Sequence, residues 1–137
     1  MLTEEQCLHL AAVANEVGEA YADCWSYKPS TRFDAEAWSA VAGRRNLEFL
    51  ASRWLPRDEA QWVLEQYVKG YNAFTPTLLQ RFPAEAEIRI AREGSVCLYV
   101  RLPSGCDKKL PTARRVAADE KGDTCLQSSS CTRYWWD

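Results

Sequence analysis

Glu87-Ile88-Arg89-Ile90-Ala91-Arg92-Glu93-Gly94-Ser95-Val96-Cys97-Leu98-Tyr99-Val100-Arg101-Leu102 is the stretch that decides the fold. Apolar and polar residues alternate on both sides of Glu93-Gly94. A period of two marks strands with one buried face, and the glycine between the runs marks a hairpin. Register follows from the same residues. A two-residue loop, Glu93-Gly94, pairs Ile90 with Cys97 and sets the isoleucines against the wrong face of the second strand. A three-residue loop, Arg92-Glu93-Gly94, pairs Ile90 with Val96 and Ile88 with Leu98. It gathers Ile88, Ile90, Val96, Leu98, Val100 and Leu102 on one side and puts Gly94 where a positive φ is needed. The other face then carries Glu87, Arg89, Cys97, Tyr99 and Arg101.

Downstream, a polar loop runs from Pro103 to Pro111. A third strand is predicted at 113–118, a turn at Glu120-Lys121-Gly122-Asp123, and a fourth strand within 124–136, interrupted by Ser128-Ser129-Ser130. Upstream the period becomes helical. Thr3 and Gln6 have the spacing of a capping box, and apolar residues then recur at helical intervals from Leu10 to Cys24, predicting a helix over 4–26. Pro29 ends it.

A second helix is predicted over 34–55. Trp38, Val41, Ala42 and Phe49 share one of its faces, and Leu47, Leu50, Ala51 and Trp54 the opposite one. A central helix buried on both sides accommodates both sets. A third helix is predicted over 57–74, with a stripe of Ala60, Val63, Leu64, Tyr67, Tyr71 and Phe74 and with Trp62 on its far side. A short fourth runs from Pro76 to Phe82. Helices precede strands, which defines an α+β chain: one domain over 1–137, its helical half (1–82) packed on an antiparallel sheet half (85–137) of about four strands.

The 137 residues are 47% hydrophobic and 26% charged, an ordinary globular balance. Net charge is −2, split as −4 over residues 1–75 and +2 over 76–137. Neither half has the basic excess of a dedicated nucleic-acid binder. The acidic start, Thr3-Glu4-Glu5, does not resemble a signal peptide, and the apolar run at 8–14 is too short to span a bilayer, so a cytoplasmic location without membrane contact is expected.

Six cysteines are present: Cys7, Cys24, Cys97, Cys106, Cys125 and Cys131. None forms the close pair of a tetrahedral zinc site, so core and loop thiols are expected, with no metal and no cofactor. The single histidine, His9, lies beside the first helix's core stripe and reads as a partly buried structural residue. No P-loop, nucleophile elbow or zinc-protease motif occurs. No catalytic residue is therefore expected.

Aromatic residues are the unusual feature, with six tryptophans. Trp25, Trp38 and Trp54 fall on helical stripes and read as core. Trp62 falls off its stripe. Trp135 and Trp136 are adjacent on a strand and must point to opposite faces, so one can be core and the other an anchor. Tryptophan, tyrosine and arginine dominate binding hot spots. The reading is a protein-binding module that modulates or inhibits a partner protein by occlusion, through Trp62, Arg89, Tyr99, Arg101, Arg133, Trp135 and Trp136. A small tryptophan-rich domain without catalytic motifs suits inhibitor or immunity-type proteins of bacterial mobile elements. The alternatives are a small enzyme using a cysteine or carboxylate, and a nucleic-acid binder in which Arg114, Arg115, Arg133, Tyr134 and Trp135 form a stacking platform.

Overall fold

A computed structural model describes residues 2–21, 49–68, 73–126 and 129–136. The helices α1 (Glu4–His9), α2 (Ala11–Ala20) and α3 (Arg57–Tyr67) cover one face of an antiparallel sheet. The strands are β1 (Phe49–Leu50), β2 (Leu55–Pro56), β3 (Glu87–Glu93), β4 (Ser95–Arg101), β5 (Glu120–Leu126) and β6 (Ser129–Trp136). The order is β1-β3-β4-β6-β5, with β2 also on the free edge of β3. The α+β expectation holds, with six strands among the described residues in place of about four. No helix among the described residues is long and apolar enough to cross a membrane.

The capping box is present: Thr3 Oγ1 accepts from the Gln6 amide at 3.1 Å, and Gln6 Oε1 accepts from the Thr3 amide at 2.8 Å. The helix it starts is regular only to His9. The Leu10 amide is shared between the Gln6 and Cys7 carbonyls, which tightens one turn before α2 resumes. Leu10, Val13, Val17 and Tyr21 are fully buried, as their spacing predicts. His9 is exposed, not partly buried, with Arg53 Nη1 3.4 Å from its Nε2. The rest of the predicted first helix, 22–26, lies outside the described residues, as do Cys24, Trp25 and Trp38.

The predicted central helix needs correction over 49–55; its first part, 34–48, lies outside the described residues. Phe49 and Leu50 pair with Arg92 and Ala91, and Leu55 and Pro56 pair with Ile88 and Glu87. Between them the Ala51 amide donates to Ile90 O at 2.8 Å. The edge of β3 supplies backbone partners that a helix here would forgo. The two opposed apolar sets resolve accordingly. Ala51 and Leu55 enter the main core, while Trp54 joins a cluster on the other sheet face.

Helix α3 ends at Tyr67, earlier than predicted, because Val68 is extended (φ −127, ψ 96) and fully buried. Phe74 is buried without being helical, and the predicted short helix is a 3-10 helix, Pro76–Arg81. At Gly18, α2 approaches α3 so closely that a Cβ would lie 2.6 Å from the Tyr67 ring.

In the β3–β4 hairpin the face assignment holds and the register moves. Ile90 pairs with Leu98 and Ile88 with Val100, two residues from the predicted pairing, because the turn centres on Gly94 (φ 76) with Glu93 opposite Ser95. A slip of two preserves side-chain facing. Ile88, Ile90, Val96, Leu98 and Val100 all lie in the main core, with Tyr134 and Trp136 from β6. Phe74 meets Trp136 edge-on at 4.9 Å and Phe82 meets Tyr134 at 5.0 Å.

The predicted third strand is instead a 3-10 turn, Arg114–Val116, followed by Ala117 in the left-handed region (φ 53). Val116 is its only buried residue, and its carbonyl accepts from Trp136 Nε1 at 3.0 Å. The predicted turn at 120–123 is the start of β5. The predicted fourth strand is two strands, closed by the Leu126–Ser129 pair.

Candidate functional site on the outer sheet face

Strand β4 is buried on both faces, so a second cluster must cover the side away from the helices. Ala91, Cys97, Tyr99 and Cys131 form it, with Trp54 and Trp135 partly exposed at its margin. Register sets these residues in lateral rows. Arg89, Tyr99, Arg133 and Gly122 make one row; Ala91, Cys97, Trp135 and Glu120 make the next. Glu87 faces Arg101 in a third.

Glu93 is the hub. Its Oε2 accepts from Tyr99 OH at 2.7 Å, Arg133 Nε at 2.8 Å and Cys97 Sγ at 2.9 Å. Its backbone carbonyl accepts from Trp135 Nε1 at 3.0 Å. Arg133 Nη1 also lies 3.5 Å from Glu120 Oε1. Burial alone pushes the Glu93 carboxyl up, but the hydrogen bonds from Arg133, Cys97 and Tyr99 outweigh it and hold the group below its ordinary value. Burial first, then the Glu93 carboxylate, drive the Cys97 thiol and the Tyr99 phenol far up. Cys97 is therefore a thiol at neutral pH, and thiol nucleophiles react as thiolates.

Arginine and indole are paired at two margins of the cluster. The Arg101 guanidinium lies 4.0 Å from the Trp54 ring centroid, and its Nε donates to Glu87 Oε1 at 3.0 Å. The Arg133 guanidinium lies 5.9 Å from the Trp135 centroid. Arg89 Nε donates to Ala51 O at 2.7 Å, tying β3 to the segment between β1 and β2. Arg89, Arg101 and Arg133 are offset by Glu87, Glu93 and Glu120, so the face is balanced in charge.

Five of the seven predicted contact residues meet here: Arg89, Tyr99, Arg101, Arg133 and Trp135. Two do not. Trp136 is fully buried, because alternation along β6 sends it to the core as Trp135 turns outward, so it presents no surface. Trp62 is partly buried on α3 and packs on the rim of the main core, beside Leu2 and Gln80 on the helical side. The stacking platform is also divided. Tyr134 is fully buried, with its OH donating to Pro111 O at 2.8 Å, and the Arg114–Val116 turn is anchored through Val116 in the main core. Trp54, Glu93 and Cys97 belong to the site and are not among the contact residues that the sequence predicts. Helical spacing places Trp54 in a helix and turn composition places Glu93 in a loop; the signal for Cys97 is its place between Ser95 and Tyr99 on the outward-facing positions.

Among the described residues no three histidine, cysteine or carboxylate side chains come together as a metal site. Cys7, Cys97, Cys106 and Cys131 are free thiols. The chain matches no protein-family model, no curated protein and no solved structure.

Proposed function

We propose that this chain is a protein-binding module, that its contact surface is the outer sheet face, and that it modulates or inhibits a partner protein by covering part of it. The observation that carries the reading is the set of indole and arginine groups held in place there. Trp135 is fixed by its bond to Glu93 O, Arg133 by Glu93 Oε2, and Arg101 by Glu87 and the Trp54 ring. Aromatic and arginine side chains ordered before contact lose little further freedom on binding. The balanced charge favours a protein over a polyanion, since phosphate-backbone affinity comes from net neutralisation by lysine and arginine. The protonated Cys97 thiol weighs against cysteine catalysis at this face.

The test is differential capture from nuclease-treated lysate, with wild-type, Trp135→Ala and Trp62→Ala chains as baits. A stoichiometric protein retained by wild type and Trp62→Ala, and lost by a folded Trp135→Ala, supports the reading. Equal retention by all three baits removes the outer face from it.

A further inference from the structure

On the other side of the sheet, the end of the 3-10 helix Pro76–Arg81 and the loop before Arg114–Val116 enclose an open cleft of about 590 Å³. Arg81, Lys108, Lys109 and Arg115 line it, and Leu110 and Pro111 give it apolar wall. From Lys108 to Ala118 the chain has four basic residues and no acidic one. The walls are tied to the core. Arg81 Nη1 donates to Arg115 O at 3.0 Å, Tyr134 OH to Pro111 O at 2.8 Å, and Arg57 Nη1 to Phe82 O at 2.8 Å.

We infer that this cleft binds a small ligand bearing two or more linked phosphates. Four cations around one cleft repel each other, and one ion pair offsets them, Lys108 Nζ to Glu85 Oε2 at 2.8 Å; the exposed Asp107 adjoins it in sequence. Lys109 and Arg115 make no ion pair with a described residue, and Arg115 is exposed. Arginine engages phosphate through two parallel donors and lysine through a point charge, so the set offers both modes to adjoining phosphates. Thr112 adds a hydroxyl at the lining. The volume lies in the ordinary range of small-molecule sites, where a single inorganic phosphate would leave most of the space and charge unused. The cleft shares no residue with the outer face.

The probes are inorganic tripolyphosphate and inorganic phosphate, titrated by calorimetry at near-physiological salt. Saturable one-to-one binding of tripolyphosphate is expected, with inorganic phosphate at least roughly tenfold weaker. Lys109→Ala and Arg115→Ala should each weaken tripolyphosphate roughly tenfold, the size of one lost charge-assisted hydrogen bond. Arg114→Ala, which removes an exposed cation outside the cleft, should leave the affinity within about twofold. Lys109 is exposed, so its replacement keeps the test valid should Arg115→Ala misfold. The inference is overturned by absence of saturable binding, by equal losses in all three variants, or by tighter binding of a single-stranded oligonucleotide that displaces tripolyphosphate.

Discussion

Glu93 and Arg133 stand two strands apart, on β3 and β6, and their side chains meet over β4 at 2.8 Å. The contact bridges Tyr99, whose hydroxyl is bonded to the same carboxylate oxygen. A residue at a hairpin tip thereby fastens three strands on the face opposite the helices. Both side chains are mostly shielded, at 27% and 21% exposure, so the pair is screened less than a surface ion pair.

Glu93→Ala strips three donors of their acceptor and leaves Arg133 without its closest carboxylate. Urea unfolding should show a loss of about 2 kcal/mol, between the values for surface pairs and for fully buried ones. A loss no larger than that of Glu87→Ala would show that Glu93 is an ordinary surface residue.

Acid should act through the same group. The folded Glu93 carboxyl lies below its ordinary 4.5, so its contribution is fully present above that value and fades as pH falls through the lower folded value. Melting temperature of wild type should therefore drop below about pH 4.5 more steeply than that of Glu93→Gln. Parallel acid limbs for the two proteins would contradict this.

Thiol accessibility separates Cys7, Cys97, Cys106 and Cys131 into two groups. Cys7 and Cys106 are partly exposed, while Cys97 and Cys131 are buried and Cys97 is also held protonated. Brief iodoacetamide treatment of native protein at neutral pH, followed by peptide mass spectrometry, should label the first two and spare the second until denaturant is added. Rapid native labelling of Cys97 would revive a nucleophilic role for it.

Neighbouring tryptophans at the end of β6 should respond in opposite ways. Trp136→Ala opens a core cavity against Phe74 and frees the Val116 carbonyl, and should destabilise by about 3–5 kcal/mol. Trp135→Ala removes a partly buried ring and one hydrogen bond, and thermal unfolding should show a clearly smaller loss. Similar losses would mean that both rings serve as core.

The outer face is legible in the sequence where the period of two holds: Glu87, Arg89, Cys97, Tyr99 and Arg101 sit where alternation puts them. Register is less legible, because a slip of two leaves every facing unchanged and only the turn geometry at Gly94 decides it. Residues 49–55 show why a helical spacing can mislead. Leu50, Ala51 and Trp54 fit a helix by interval, but backbone pairing with β3, distant in sequence, overrides local preference. Glu120-Lys121-Gly122-Asp123 has turn composition yet begins an edge strand, where charge and glycine are tolerated and limit unwanted pairing. Glu93 is hidden for a related reason, since its role depends on Arg133 arriving from another strand.

Affinity of the captured partner for wild-type, Trp135→Ala and Trp62→Ala chains is the measurement closest to the central claim. With the outer sheet face as contact surface, isothermal titration should show Trp135→Ala weakened by about 2 kcal/mol or more, the size of a hot-spot residue, with its fold retained. Trp62→Ala should bind within about twofold of wild type. The reverse pattern, with Trp62→Ala weakened and Trp135→Ala unchanged, would place the contact on the helical side and contradict the account.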